Sequence, residues 1–328
     1  MSENAPANPP IDWGNLTFLL LTPLVAVFGT AWYVSQYGFT WLEVAMFVVF
    51  GMMSGVAITA GYHRLYSHRS YECSPSVRLY YLVFGAAAVQ NSLLKWASDH
   101  RDHHRFVDRN EDPYNILKGG FYAHMGWIIH KNLRDQEKRF ENVPDLLKDP
   151  MVMWQHRWYL PLVIGITFLL PTVIGAAFGR PLGGLLWGGF MRVVVVHHCT
   201  FFINSLAHLF GERPYSLTDT ARDSWWLAWL TFGEGYHNFH HKFQADYRNG
   251  LRWWQFDLTK WWINILAWTG HAWKLKRTPE PLIVRARLEV EKQRVALALA
   301  SANASERMWQ KISSRLESGS RRLESAHQ

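Results

Sequence analysis

The chain has 328 residues, enough for one or two domains, and it is rich in aromatic residues, with 18 Trp, 19 Phe and 13 Tyr. Its net charge of +8 favours anionic partners such as lipid headgroups or phosphorylated cofactors, and the sequence has no nucleic-acid-binding motif, so we expect no nucleic-acid partner. The two cysteines, Cys73 and Cys199, are far apart, which argues against a disulfide framework and favours a reducing compartment.

After a polar N-terminal segment (1–15), four apolar stretches are long enough to cross a bilayer, which takes about 20 residues. They lie near Leu16–Val34, Trp41–Ala60, Tyr159–Phe178 and Gly183–Phe202. Because only QYGFT and GRPLG separate the members of each pair, the pattern predicts two transmembrane hairpins, at 16–60 and 159–203. A further apolar segment, Val77–Leu94, is broken by polar residues and predicts a helix buried in protein or lying at the interface, with a fifth span as the less favoured alternative.

Nearly all Lys and Arg residues lie in the segments 61–158, 204–280 and 281–328. The positive-inside rule therefore predicts that these segments and both termini are cytoplasmic. The last segment has no Gly or Pro between Leu282 and Gly319 and is rich in Ala, Leu, Glu, Lys and Arg. It predicts one long charged helix, either solvated or self-associating. The expected fold is thus an all-α integral membrane protein with a helical cytoplasmic region.

Half of the 16 histidines fall in three short motifs, HRLYSH, HRDHH and HNFHH. Their histidines are His63 and His68, then His100, His103 and His104, then His237, His240 and His241. Residues i, i+3 and i+4 share one face of a helix, so each H-x-x-H-H motif is expected to aim three imidazoles at one point. The i, i+5 spacing of the first motif shares no face of an ideal helix. It fits a pair that flanks a site from a helix end or serves two metals.

Neutral imidazole is the commonest metal ligand in proteins, and packing gives no reason for such a density of histidines. Eight imidazoles exceed the coordination of one metal, so two metals are expected. Zinc, copper, iron and nickel all suit imidazole, and the residues alone do not choose among them. The hypothesis from the residues is a histidine-rich dinuclear site beside a membrane.

The three motifs resemble the histidine boxes of membrane fatty-acid desaturases, and most closely those of acyl-CoA Δ9 (stearoyl-CoA) desaturases. The segments TAGYHRLYSHRSY, HRDHHRFVDRNEDPYN, GWIIHK, NSLAHLFGERPY and GEGYHNFHHKFQADYR follow the order of that family, over about residues 15–275. His237 is a further point of similarity, because some other membrane desaturases carry Gln there. The resemblance implies two iron ions, with O₂ as co-substrate, that remove two hydrogens from a saturated acyl chain. It implies a ninth ligand, His208, and a metal-bound water held by Asn204.

The resemblance also implies which residues contact the substrate. Gln90, Trp96 and Thr200 match a bent tunnel that sets the position and cis geometry of the double bond. Asn91 and Asp99 match polar contacts to the CoA end, although Ser98 stands where the family has Arg. Lys131 and Arg134 are candidate phosphate contacts, and ordinary inside-facing positive charge explains them equally well. Trp127 matches a family Trp, for which a core role is the simpler interpretation. His124, His130, His156, His197, His198 and His271 are not expected to bind metal.

The predicted function is therefore O₂-dependent Δ9 desaturation of fatty acyl-CoA, within a membrane and in contact with its lipids. One alternative is desaturation of a chain linked to a glycerolipid or to acyl-carrier protein. Another is a membrane di-iron hydroxylase, which would release an alcohol. A metal transporter is disfavoured, because its ligands would lie within the spans. No HPGG haem motif of a fused cytochrome b5 domain is present. The expected electron donor is a separate protein, ferredoxin-like, cytochrome b5-like or a flavin reductase.

Overall fold

Helices provide nearly all the regular structure in the computed structural model, which describes residues 10–130 and 140–325. In chain order they are α1 (Trp13–Tyr37), α2 (Trp41–Ser67), α3 (Pro75–Ala87), α4 (Leu93–Phe106), α5 (Trp127–Ile129), α6 (Pro144–Leu147), α7 (Pro150–Arg157), α8 (Tyr159–Ala177), α9 (Pro181–Leu209), α10 (Trp225–Leu230), α11 (His237–Lys242), α12 (Leu258–Trp268) and α13 (Glu280–Ser325). A 3₁₀ turn at Ile116–Lys118 and a π turn at Tyr122–Gly126 precede α5. The predicted all-α class is confirmed.

Four helices are long and apolar enough to cross a membrane, α1, α2, α8 and α9. Short connections join α1 to α2 and α8 to α9, as two hairpins along the chain, and α1, α2 and α8 each pack against α9. On the side of the short connections, the buried carboxylate of Glu43 accepts a hydrogen bond from the Tyr33 hydroxyl (2.9 Å) and forms an ion pair with Arg180. Tyr33 and Glu43 belong to the first hairpin and Arg180 to the second. A buried charge is tolerated here because it is paired across the two hairpins.

Two spanning helices continue beyond the ends predicted from the sequence. The second, expected to end near Ala60, runs to Ser67, and its last eleven residues (Ala57–Ser67) are π-helical. The fourth, expected to end near Phe202, continues to Leu209, with an interruption at Ser205. Apolar composition marks only the part of a helix that contacts lipid, so a helix that continues into a polar protein interior is predicted too short.

The segment Val77–Leu94 is not a single helix. Its apolar part forms α3, which ends at Ala87 and is not among the four candidate spans. Leu93 begins a separate helix, α4. Helix α3 packs closely against α2. A Cβ atom added at Gly61 of α2 would lie only 2.6 Å from Cγ of Tyr81 in α3, so no larger residue fits there. One face of α3 is thus buried in protein, whereas Leu79 on the other face is 45% exposed.

The only strands in the described part of the chain are two residues each and were not predicted. β1 (Glu72–Cys73) pairs antiparallel with β2 (Ala272–Trp273). The pairing fixes the chain just after the first histidine motif to the chain just after α12. It therefore helps hold together segments about 200 residues apart in the sequence.

The chain divides into two compact units, Met1–Arg213 with Thr218–Thr278, and Pro214–Leu217 with Pro279–Gln328. The second unit consists mainly of α13, which confirms the predicted long charged helix. Within it, Arg287 Nη2 donates a hydrogen bond to the Tyr215 hydroxyl at 2.6 Å.

Candidate metal centre and substrate cavity

Nine histidines converge in two groups in which the nitrogen atoms able to bind a metal lie within 4.8 Å of one another. The five-histidine group consists of His63, His68, His100, His104 and His240. The four-histidine group consists of His103, His208, His237 and His241. These are the nine histidines singled out from the sequence, including the one from the NSLAH segment. Either group offers enough imidazoles to hold one metal ion.

The H-x-x-H-H motifs do not aim all three imidazoles at one point, so that expectation is wrong. In α4, His100 and His104 belong to the five-histidine group, whereas His103 belongs to the other. In α11 the division is reversed, because His237 and His241 lie in the four-histidine group. Positions i and i+4 differ by about 40° around a helix, and i+3 lies about 60° to the opposite side. Each motif therefore serves both groups.

A π-helix brings His63 and His68 into the same group. The backbone N–H of His68 bonds to the carbonyl of His63 at 3.1 Å, the i→i+5 bond of a π-helix. Their rings lie 4.7 Å apart, centre to centre. An i, i+5 pair thus faces one point, which the ideal α-helix assumed for the sequence does not allow.

The distances between the ring nitrogens fit a common metal ion. The His240 Nε2 atom lies 3.0 Å from Nε2 of both His63 and His104. In the other group, His237 Nε2 and His241 Nε2 are 3.0 Å apart. Two nitrogens that bind one metal at about 2.1 Å and at right angles are separated by about 3 Å. The Nε2 atoms of His103 and His208 are buried and have no hydrogen-bond partner among the described residues, which also fits metal binding.

Carboxylates orient two of these imidazoles from behind. His63 Nδ1 lies 3.0 Å from Glu234 Oε2, and His103 Nδ1 lies 2.8 Å from Asp112 Oδ1. A carboxylate at Nδ1 leaves Nε2 free for a metal and increases its basicity. The sequence interpretation missed both acids. Their closeness in the sequence to the histidine motifs could have identified them. Glu234 precedes the third motif by three residues, and Asp112 follows the second motif within ten residues.

A hydroxyl orients His208. Its Nδ1 lies 2.8 Å from the Thr220 hydroxyl, which in turn donates to Asp108 Oδ1 at 2.7 Å. Neither Thr220 nor Asp108 was identified from the sequence. The contact depends on chain segments 112 residues apart, which no local pattern reveals.

Burial keeps five of the imidazoles outside the spanning helices neutral. It lowers the pKa of His100, His104, His237, His240 and His241 well below the ordinary value, and the charges of neighbouring histidines lower it further. A neutral imidazole has the lone pair that a metal needs. Burial alone would raise the pKa of Glu234, but the charge of Arg64 and the hydrogen bonds from Arg64 and His63 outweigh it and lower that pKa to about 2. The site therefore combines neutral ligands with ionised supporting acids.

A cavity of about 330 Å³ adjoins the five-histidine group, since His100 forms part of its wall. Four of the predicted substrate residues line it, and so does Asn204. They are Gln90, Asn91, Trp96 and Thr200. Trp127 lines it too, with its ring centre 4.6 Å from that of Tyr114. Asp99 is not part of the wall; its carboxylate pairs with Lys95 at 2.6 Å. Lys131 and Arg134 lie outside the described residues.

Hydrogen bonds connect the cavity wall to the metal centre. Gln90 Nε2 donates to the Thr200 hydroxyl at 2.9 Å, and Trp96 Nε1 donates to Gln90 Oε1 at 3.3 Å. The Trp96 ring stacks on His100 with centres 4.9 Å apart. A chain of three side chains therefore runs across the wall and ends against a histidine of the five-histidine group.

Fold and site together define a helical integral membrane protein with a histidine-rich centre able to hold two metals beside a cavity. The sequence matches the fatty acid desaturase family over residues 39–302. The chain belongs to this family.

Several individual desaturases are similar to this chain. Acyl-CoA desaturase 1 of Saccharomyces cerevisiae is 39% identical over 89% of this chain and 57% of its own length. The sn-1 stearoyl-lipid 9-desaturase of Anabaena variabilis is 35% identical over 82% of this chain and 95% of its own length. The stearoyl-CoA desaturase of Homo sapiens is 34% identical over 83% and 76%. The chain spans less than three fifths of the length of the yeast relatives (57% and 58%).

Proposed function

We propose that the protein catalyses O₂-dependent desaturation of a saturated fatty acyl chain, and that its substrate is acyl-CoA, desaturated at Δ9 to a cis double bond. The observation that carries the proposal is the cavity whose wall includes His100 of the five-histidine group, in a member of the desaturase family. Two relatives whose names specify acyl-CoA or stearoyl-CoA support the choice of carrier.

The nine histidines of the two groups would hold two iron ions. Bound there, the irons supply the activation of O₂ and the removal of hydrogen from an unactivated CH₂ group, which no side chain provides. Glu234 and Asp112 keep the imidazoles of His63 and His103 oriented with Nε2 toward the metals. Asn204, on the cavity wall, would hold a water at the metal centre.

The cavity residues would hold the acyl chain in one position. The hydrogen-bonded residues Trp96, Gln90 and Thr200 form a fixed part of the wall, which lies beside His100. A fixed wall determines which carbons of a flexible chain lie closest to the metals. Since positioning within about 1 Å affects rates strongly, the wall would determine the position of the double bond.

The carrier end of the substrate is assigned to Asn91 and Asp99, with Lys131 and Arg134 as phosphate contacts. Asn91 lines the cavity, whereas Asp99 pairs with Lys95, so its contact with CoA would require that ion pair to open. A lipid-linked substrate is the second candidate. The similarity to an Anabaena desaturase named for a stearoyl-lipid, which the match covers over 95% of its length, favours it.

Electrons would come from a separate donor protein, ferredoxin-like, cytochrome b5-like or a flavin reductase. The metal centre and both termini would face the cytoplasm, as the distribution of Lys and Arg predicts.

Expression of the chain in a desaturase-deficient host, followed by fatty-acid analysis, tests the proposal. We expect a cis Δ9 product. An alcohol in place of an alkene would indicate a hydroxylase, and no new product in a host that supplies electrons would refute the proposal. Incubation of the purified protein with stearoyl-CoA, stearoyl-acyl-carrier protein or a stearoyl glycerolipid then identifies the carrier.

A further inference from the structure

An arginine is buried within the fourth spanning helix without an acidic partner. Arg192 is 0% exposed and lies near the middle of α9. Its Nε donates to the carbonyl of Gly188 at 2.9 Å and its Nη1 to the carbonyl of Ala87, whereas its Nη2 has no partner. No ion pair includes Arg192 within residues 10–130 and 140–325. An ionisable side chain at such a depth is costly and points to a specific role.

The role concerns the C-terminal end of α3, where carbonyl groups have no partner within the helix. The Ala87 carbonyl accepts hydrogen bonds from Arg192 and from the Thr167 hydroxyl (3.1 Å). His197 Nε2 lies 2.8 Å from the Ala88 carbonyl and 3.1 Å from the Val89 carbonyl, so this nitrogen carries the proton. Thr167 and Arg192 lie near the midpoints of α8 and α9, so α3 ends at the depth of the membrane interior. Non-helical backbone is tolerated there only when protein groups satisfy it.

The turn that follows is strained and carries residues of the cavity wall. Val89 and Asn91 both adopt left-handed backbone conformations, with φ of 57° and 73°. For a β-branched residue such as Val this conformation is unfavourable and persists only when the surroundings enforce it. Gln90 lies between them and bonds to Thr200 and Trp96. The position of Gln90 in the cavity therefore depends on how firmly the turn is held.

We propose that Arg192, Thr167 and His197 are positioning residues that determine where the double bond is introduced. By holding the carbonyls of Ala87, Ala88 and Val89, they fix the strained turn and, through it, Gln90. His197 also lines the cavity, so it acts where the turn meets the acyl chain. The inference rests on the proposed function of the site. It adds these three residues, none of them a metal ligand, to the wall residues Trp96, Gln90 and Thr200 that would determine the position of the double bond.

The test replaces His197 by Leu, which removes the donor, or by Gln, whose side-chain N–H retains it. In His197→Leu we expect the share of product with a displaced double bond to rise about tenfold, the effect of losing one buried hydrogen bond that favours a single turn conformation. His197→Gln is expected to restore most of the wild-type distribution. The products are measured by mass spectrometry of their dimethyl disulfide adducts.

His198→Leu is the matched control, because the neighbouring residue receives the same change but contacts His124 and not the turn. It should leave the product distribution unchanged. Arg192→Met is the second variant and should displace the double bond further. If Arg192→Met does not insert into the membrane, His197→Leu alone decides the question.

A measurement without turnover gives an independent readout. Amide hydrogen exchange in peptides covering residues 86–92 should accelerate about tenfold in His197→Leu, whereas peptides covering 100–106 and 237–241 should be unchanged. Unchanged exchange and an unchanged double-bond position in His197→Leu would overturn the inference, as would an equal effect of His198→Leu. Absence of any unsaturated product from the wild-type protein would instead refute the proposed function.

Discussion

The two histidine groups differ in the number of imidazoles and in how they are supported. Behind the five-histidine group, Glu234 is part of a buried charged network in which Arg64 Nη2 lies 2.7 Å from Glu234 and 2.9 Å from Asp257. The four-histidine group is supported by two separate contacts and, among the described residues, by no arginine network. Asp112 contacts His103, and Thr220 contacts His208. The five-histidine group is thus tied to the folding core, whereas the four-histidine group leaves more of a metal's coordination to small ligands such as water.

Removal of a histidine should have the largest effect, and the effect on metal content should distinguish the groups. Both His240→Ala and His208→Ala should abolish desaturation, because each group needs its metal. His208→Ala leaves three imidazoles and should lose about one metal per chain, whereas His240→Ala leaves four and should retain part of it. Metal per protein is measured by mass spectrometry after purification. Activity near the wild-type level in His240→Ala would contradict its assignment as a ligand.

Removal of a supporting acid should have a smaller effect, and again one that differs between the groups. Glu234→Gln and Asp112→Asn should each weaken metal binding by about 10–100-fold, because an imidazole loses its orienting carboxylate. Only Glu234→Gln should also reduce the free energy of unfolding substantially, by about 3 kcal/mol, since it removes one of two acids paired with the buried Arg64. Metal titration and thermal unfolding of the metal-free proteins measure the two effects. An equal loss of stability in both variants would contradict the conclusion that only the five-histidine group is tied to the folding core.

The metal-free protein should lose stability in mild acid. Burial and neighbouring imidazoles lower the pKa of His100, His104 and His240 in the folded state, whereas in the unfolded chain it is about 6.5. Above that pH these histidines are neutral in both states and contribute no pH dependence. Below it the unfolded chain binds protons that the folded protein does not, so each histidine reduces stability by up to about 1.4 kcal/mol per pH unit.

Thermal unfolding between pH 7.5 and 5.5, with and without bound metal, measures this dependence. Bound metal should shift the loss to lower pH, because metal and proton compete for the same nitrogen. A metal-free protein equally stable at both pH values would contradict the neutral state of the buried imidazoles.

The sequence was sufficient to predict the four spanning helices, the long C-terminal helix and eight of the nine histidines that converge, whereas only the family resemblance implied His208. Apolar runs and local residue density are properties of short segments, so the sequence displays them directly. The division of the histidines into groups was not predictable. It depends on a π-helical segment, through which His63 and His68 face the same point, and on the relative orientation of α4 and α11.

The supporting residues were missed for a related reason. Glu234 and Asp112 are ordinary acids in the sequence, and their role follows only from their distances to His63 and His103. The extension of α2 to Ser67 was missed because the polar residues that end the apolar run are buried in protein. Tertiary contacts decide such cases, and hydropathy does not record them.

The smallest expected effect concerns the cavity wall, where the five-histidine group meets the substrate. Trp96→Leu removes the stacking on His100 and the hydrogen bond to Gln90, so the wall should loosen while all nine imidazoles stay in place. We expect metal content within about 10% of the wild-type value, since no ligand or supporting acid changes. The double-bond position or the preferred chain length should broaden, measured by gas chromatography of the products from mixed C14–C18 substrates. Thr200→Val, which removes one hydroxyl and keeps the shape, should change the profile less. Because Trp96 stacks on His100, an effect of Trp96→Leu on metal content would show that the two functions of the five-histidine group are not separable.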